Sequence, residues 1–449
     1  MPLAQRVSRR LVELMAEPLP DEVLASARES LFNVLGTTIG ACRSDAVEIV
    51  LGHDARHGGP GVVAVPGRAE LLDVLDAALA IGVAAHYDDF DDTHLETVIH
   101  PGAATLAAML AISPLAPVSG NDALKAFALG IETQLRFGLA ISPTHYDDGW
   151  HITSTCGMLG AAVTAGLMLG FDTERLAAAM SIATSQSLGL REAFGTHTKP
   201  FHPGKAASNG VLAVLLANEG MTGPADALES SRGLAAVLGR ETPEKLVAWM
   251  DGLGGSPWEI QRNAFKPYPC GIVSHPCIDA AVELHGSVAG REIGSVTVRC
   301  HPLVPELTGN PDPQDGLQAR FSTIHGVAAG LADGRVGLAQ YADARVRDAD
   351  LIALRAVTTL EADASMPRDA SEVIVGLVGG EQVRTFVEHA RGSVDRPFTR
   401  DELQAKVTLL VDPVLPGRTP LIRSAVDGLA DADGLAELVA TCTPGEVHA

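Results

Sequence analysis

The sequence predicts a mainly α-helical fold, with a large all-helical domain, discontinuous in sequence, and a smaller α/β lid inserted into it. Three observations point there. Apolar residues recur at spacings of three and four in nearly every segment from Ala4 to about Leu253. Strand-like alternation is confined to the stretch between about 290 and 390, and helical spacing returns after 398. At 449 residues the chain is long for a single core. The expected division is 1–264 and 398–449 for the helical domain and 265–397 for the lid.

The opening MPLAQRVSRRLVELMAEPLP reads as an amphipathic surface helix stopped by proline, without the continuous apolar stretch of a signal peptide. Asp21 to Gly40 follows as helix. Ala69 to Tyr87 carries the same spacing, and we extend that helix through Thr93. Pro101 to Leu115 opens with a proline that has no amide hydrogen to lose in a first turn. Asp122 to Ile141, Thr155 to Gly170, Thr173 to Gln186, Ala206 to Glu219 and Pro243 to Leu253 continue the pattern. Thr155 to Gly170 is apolar all round, which places it at the centre of a bundle. Asp172 can cap the helix from Thr173, and Thr242 with Pro243 supplies a cap and a proline start.

Glycine and proline crowd into Gly252 to Cys270, GLGGSPWEIQRNAFKPYPC, as at a domain seam. Beyond it Ile293 to Cys300 alternates, with Val296, Val298 and Cys300 on one face. Glu372 to Val378 and Glu381 to Glu388 alternate likewise across Gly379-Gly380, a hairpin signal. Ser322 to Ala332 and Asp348 to Leu360 read as helices between them. A last helical stretch opens with Thr399 and Glu402 at capping-box spacing, and Phe398 placed to staple onto Leu403.

A net charge of -22 argues against nucleic-acid or anionic-membrane partners, which require a basic surface. The six cysteines, at 42, 156, 270, 277, 300 and 442, form no CxxC pair, the pattern of reduced thiols in a cytoplasmic protein. Apolar runs are broken before they reach membrane-spanning length. Scarce aromatics, 4% of residues, beside abundant Gly and Ala favour helices in close contact.

Candidate chemistry centres on Ala84 to Gly102, AAHYDDFDDTHLETVIHPG, with three histidines and five carboxylates in nineteen residues between apolar runs. Acidic runs are ordinarily solvated loops; here the apolar flanks argue otherwise. On one continuous helix His86, Asp89 and Thr93 would share a face. His100 precedes the turn at Pro101, beside free backbone N–H groups that attract anions. His151 stands at the start of the apolar helix, a place where a lone histidine is often structural. Lys199 and His202, in TKPFHPG, lie just ahead of another small-residue helix, and Lys266, in KPYPC, lies in the seam, a favoured ligand position. Together these cations suit a substrate with several carboxylates, and they lower the cost of a carbanion beside one. Two other readings stay open. Asp88-Asp89-Phe90-Asp91-Asp92 also spells DDxxD, the magnesium-binding pattern of prenyl-diphosphate enzymes, although neither a second such motif nor an aromatic-rich lining is found. A non-catalytic carboxylate-binding dimer is the other.

The segments DDFDDT with HPGA, GWHITSTCGMLGAA, THTKPFHPGKAASNGVLAVLLANEGMTGP and KPYPCGIVSHPCIDA resemble successive signatures of the MmgE/PrpD family, over about Val23 to Val411. That family includes 2-methylcitrate dehydratase, cis-aconitate decarboxylase and iminodisuccinate epimerase. The resemblance implies a homodimer and a site between the two domains that uses no metal and no cofactor. It also implies site residues Asp89, Thr93, His100, His151, Lys199 and Lys266. In RFSTIHGVAAGLADG it puts His325 where the family's decarboxylase has a tyrosine, so that His325 could deliver the final proton. The Thr93–His100 loop is one residue longer than the family pattern. The implied reaction is proton chemistry α to a carboxylate on a small di- or tricarboxylate, with dehydration expected first and decarboxylation or epimerisation as alternatives. Lys199 and Lys266 would anchor carboxylates, with His100, His202 and Thr93 beside them, and His151 would act as base or acid.

Overall fold

Burying the apolar stripes of so many helices requires close crossings, and the computed structural model, which describes residues 1–445, is built on them. The Thr198–Asn218 helix packs against both Val74–Tyr87 and Ile152–Met168, and the last of these packs in turn on Gly120–Ile141 and Pro101–Ile112. Every residue of Ile152–Met168 and of Pro101–Ile112 is buried, as an all-apolar surface demands. The tightest crossing is glycine on glycine. A Cβ on Gly82 would lie 2.5 Å from the Gly204 Cα, and one on Gly204 would lie 2.4 Å from the Leu79 carbonyl oxygen. Gly82 is one turn before His86, and Gly204 two residues after His202, so this contact sets the separation of site-bearing helix ends.

Leu403, Val407 and Val411 of the Arg400–Val411 helix are buried in the same core as Leu31, Leu35 and Ile39, so residues after 398 rejoin the core made by the first part of the chain. Its capping box is formed: Glu402 N–H donates to Thr399 Oγ1 at 3.2 Å and Thr399 N–H to Glu402 Oε2 at 2.9 Å. Asp172 and Thr242 cap their helices as expected.

The segment between has cores of its own. Four strands run in the order Thr358–Ala362, Ile293–Cys300, Ser371–Leu377, Gln382–Val387, with the first pair parallel and the others antiparallel. Val296, Val298 and Cys300 all point inward, with Val373 and Val375 beside them, under the His275–Val288 helix.

Three expectations are corrected. The helix expected from Ala69 through Thr93 runs only from Val74 to Tyr87. Leu71–Leu72 pairs as a short strand with Val63–Ala64, and Asp73 caps the helix by accepting from the Leu75 and Asp76 amides. At the far end Asp89 adopts a left-handed φ of 50° and Asp92–His94 pairs antiparallel with Asn263–Phe265. Four aspartates within little more than one helical turn would crowd like charges in the interior; in the loop each finds a separate partner. The helix expected over Asp348–Leu360 stops at Ala356, and the β-branched Val357-Thr358-Thr359 turns into the edge strand. The helix expected from Ala206 begins at Thr198: Pro200 falls in its first turn, where a proline is tolerated, and Pro203 lies inside the helix. Lys199 and His202 therefore lie within the helix and not ahead of it. No helix of the described residues is long and apolar enough to cross a membrane.

Gly204→Ala should lower the free energy of unfolding by about 1–3 kcal/mol in urea denaturation, since the added methyl has backbone on its path. Equal stability would show that the two helices part freely.

Candidate active site

Three helices begin at one place. His100 is the residue before Pro101–Ile112, His151 the residue before Ile152–Met168, and Lys199 and His202 lie in the first turns of Thr198–Asn218. Helix N-termini present free amides and a positive dipole end, so the position favours an anion. His86 comes from the last turn of Val74–Tyr87, the aspartates follow in the loop, and Lys266 stands just beyond the Asn263–Phe265 strand.

Asp89 is the hub. Its Oδ1 accepts from Lys199 Nζ at 2.9 Å and from Lys266 Nζ at 2.8 Å, with His100 Nε2 3.7 Å away. Lys266 also donates to the carbonyls of Asp89, 3.1 Å, and Cys270, 3.0 Å. Lys199 donates to His86 Nε2 at 2.8 Å, which leaves the His86 proton on Nδ1, donated to Asp91 Oδ2 at 2.8 Å. His100 Nδ1 donates to Asp91 Oδ1 at 2.9 Å with Thr93 Oγ1 3.2 Å away, so its Nε2 carries the lone pair. His151 and His202 share one proton between Nδ1 atoms 2.8 Å apart.

Burial acts first on every one of these groups. It would raise the Asp89 carboxyl, but the ammoniums of Lys199 and Lys266 override it and hold that carboxyl well below its usual range. Burial would raise Asp91 too, and the two imidazole donors hold it ionised. Burial pushes the imidazoles down, His100 to about 3, His202 to about 4 and His151 well below the usual value, the last with help from the Lys199 charge. Burial lowers Lys199 as well, partly opposed by Asp89. The result is an ionised carboxylate between two lysines, ringed by neutral imidazoles.

A crevice opens on this cluster. Asp89, His100, His151 and Lys199 form one side, and Val98, Phe194, Leu307 and Phe321 an apolar wall. Phe194 and Phe321 stack at 5.2 Å, and Lys199 Nζ lies 5.6 and 5.3 Å from their ring centres. Its volume of about 40 Å³ holds about three waters.

Asp89, Thr93, His100, His151, Lys199, Lys266 and His202 thus converge, although His86, Asp89 and Thr93 meet through the loop and not along a helix face. His325 does not join them. Its Nε2 donates to the Gln340 carbonyl at 2.9 Å and its Nδ1 accepts from Arg355 at 3.3 Å, both within the inserted segment, and burial pushes it to about 4. The DDxxD run fans out. Asp88 pairs with Arg320 at 2.6 Å, Asp89 with the lysines, Asp91 with the histidines, and Asp92 accepts from Ser30, Asn263 and the Gly102 amide. These oxygens offer magnesium no common face. Ligand atoms of His86, Asp89, Asp91 and His100 do lie within 4.8 Å of one another. A dication there would meet two ammoniums already bonded to the same Asp89 oxygen.

Sequence reasoning named Lys266 but missed the other two supports of this loop, Arg320 and Lys406. Arg320 donates to the Tyr87 carbonyl at 3.2 Å, Lys266 to that of Asp89, and Lys406 to that of Phe90 at 2.7 Å. Lys406 also donates to Asn33 Oδ1 at 2.7 Å, and burial brings it down to about 7. One signal was available for it, a lysine within the apolar stripe Leu403, Val407, Leu410. Asp91, which fixes both histidine tautomers, could be told from its three neighbours only by its contacts.

Two family models match the chain, the MmgE/PrpD N-terminal domain over residues 5–246 and the MmgE/PrpD C-terminal domain over 268–427. Among curated relatives, cis-aconitate decarboxylase of Mus musculus is 27% identical over 419 residues, 88% of this chain and 83% of that protein. The Homo sapiens protein of that name is 26% identical over 459 residues, 96% and 92%. The 2-methylcitrate dehydratase of Cupriavidus necator is 26% identical over 380 residues, 77% and 74%.

Lys406→Met should reduce stability by about 1–3 kcal/mol in urea, because the Phe90 carbonyl is left unpaired. Leu409→Ala, at a position of the same helix that is 77% exposed, should change it by less than about 0.5 kcal/mol. Equal effects would remove the tether from the account. Acid should also destabilise the fold. His100, His202, His275 and His325 stay neutral in the folded state down to about 3 or 4, whereas unfolded histidines take a proton near pH 6.5. The unfolded state thus binds the extra protons and stability falls with pH. Asp92 and Glu132, raised to about 6 by burial, oppose this between about pH 6 and 4. The four histidines outnumber these two carboxyls, so stability should fall between pH 6.5 and pH 5. Urea midpoints that rise from pH 6.5 to pH 5 would contradict this.

Proposed function

We propose a reaction for this chain, which belongs to the MmgE/PrpD family: cofactor-free proton chemistry at the carbon α to a carboxylate of a small di- or tricarboxylate, with loss of water as its first outcome. The observation that carries this reading is the pair of ammoniums sharing one oxygen of Asp89 beside neutral imidazoles. An arriving substrate carboxylate takes donors from Lys199 and Lys266, with His100, His202 and Thr93 at its flanks, and Asp89 holds the lysines in place. His151, neutral and linked to His202, accepts the α proton on Nε2 while its Nδ1 hydrogen remains engaged with His202. Charge that builds on the substrate is met by the lysines in a site with little water. Loss of water follows if the β carbon carries a hydroxyl, with the protonated His151 as acid, and inversion follows if the proton returns to the other face.

A second reading, decarboxylation, draws on the apolar wall of Val98, Phe194, Leu307 and Phe321. A carboxylate turned to Val98 and Leu307 meets side chains that donate no hydrogen bond, which favours its departure as carbon dioxide. The electron pair left on carbon then takes a proton from the Lys199 ammonium, which borders the same crevice. The two relatives named cis-aconitate decarboxylase, which span more of the chain than the dehydratase does, support the same reading. Because the crevice holds only a few waters, residues 265–397 act as a lid that opens to admit substrate.

Proton NMR in deuterated buffer with citrate, 2-methylcitrate, cis-aconitate and iminodisuccinate tests both readings. One of them should be converted with deuterium at the carbon next to a carboxylate, and the product distinguishes loss of water from loss of carbon dioxide. His151→Gln and Lys199→Ala should each reduce turnover at least about 100-fold. Turnover near wild type in either variant would overturn its assigned role.

A further inference from the structure

A second, larger cavity, about 270 Å³, lies in the seam between the Asp92–His94/Asn263–Phe265 ribbon and the inserted segment. Lys266 and Ile272 line it, and Ile272 lines the catalytic crevice as well. The charged groups bordering it are unequally committed. Asp369 and Asp395 face His389 at 2.7 and 3.7 Å, and Glu96 pairs with Arg262. The cations have capacity left. Arg368 makes no ion pair or hydrogen bond among the described residues. Arg391 Nε is buried without a hydrogen-bond partner, its nearest carboxylate, on Glu402, being 3.7 Å away. The cavity also has one buried acceptor. His275 is 2% exposed, and its Nε2 donates to the Cys270 carbonyl at 3.3 Å, so Nδ1 keeps the lone pair.

We propose that this seam cavity is a second binding site, taking a small hydroxylated polycarboxylate whose carboxylates pair with Arg368 and Arg391 and whose hydroxyl donates to His275 Nδ1. Guanidinium forks suit carboxylates in two-point contact. The ligand is felt at the catalytic cluster by a short path, because the Cys270 carbonyl that accepts from His275 also accepts from Lys266 Nζ at 3.0 Å, and that ammonium holds Asp89. A ligand bridging the ribbon and the inserted segment also resists their separation. The site is therefore one for an effector, built on Arg368, Arg391 and His275, none of which lines the crevice, and independent of which reaction the crevice performs.

Calorimetric titration of the full chain carrying Lys199→Ala, which weakens the crevice and prevents turnover, tests this with citrate as probe. His151→Gln serves as a second background should the first fail to fold. One saturable event should remain. Adding Arg368→Gln and Arg391→Gln should weaken it at least about tenfold, two charge-assisted contacts being lost, with an unchanged circular dichroism spectrum. Tricarballylate, which lacks the hydroxyl, should bind about fivefold more weakly than citrate, the effect of one hydrogen bond. Absence of saturable binding in both backgrounds, or binding indifferent to the two arginine replacements, overturns the site. Equal binding of the two acids overturns the contact with His275.

Discussion

A carboxylate buried between two lysine ammoniums is the constraint on which the rest of this molecule depends. Asp89, Lys199 and Lys266 are each at most 5% exposed, and none could be held there in charged form without the others. Their contacts come from a helix-ending loop, the first turn of a helix a hundred residues later and a strand end at the seam. The fold must bring three chain segments to within a hydrogen bond of one another. Asp91 extends the set by accepting from His86 and His100, which fixes both rings as neutral tautomers and leaves each Nε2 as an acceptor.

Close helix packing makes that convergence possible. Gly82 and Gly204 allow the helices bearing His86 and Lys199 to touch backbone to backbone, and the donor–acceptor distance of 2.8 Å between those side chains follows from the contact. The loop between His86 and Thr93 is held from outside by cations on its carbonyls, two from the inserted segment and its approach and one, Lys406, from the returning helix. The left-handed backbone at Asp89 is strained for a residue with a Cβ and persists because these tethers over-determine it. The crevice then draws on both parts of the chain. Lys199 and the imidazoles come from the helical core, together with Val98 and Phe194 of the wall, whereas Leu307 and Phe321 come from the inserted segment.

How much of this was legible follows from the range of each interaction. Helical spacing, caps, the hairpin at Gly379-Gly380 and the inward face of Val296, Val298 and Cys300 are properties of neighbours within a few positions, and the sequence displays them. The residues that gather at the crevice also stood out, because a histidine or lysine next to small apolar helices is unusual wherever the chain carries it. The run from Asp88 to Asp92 read as a continued helix because local spacing cannot register that buried like charges must diverge towards distant partners.

The sequence by itself determined the helical class, the change of texture near 265, and most of the side chains at the crevice, since composition and periodicity are local. Only the tertiary structure decided which aspartate serves which cation, that Lys406 and Arg320 brace the loop, and that His325 faces inward within its own segment. Those of Asp89, Arg320 and Lys406 are pairings across more than a hundred residues, and the free energy that selects among them is desolvation of charge, which depends on what the folded chain places alongside and leaves no mark in the order of the residues.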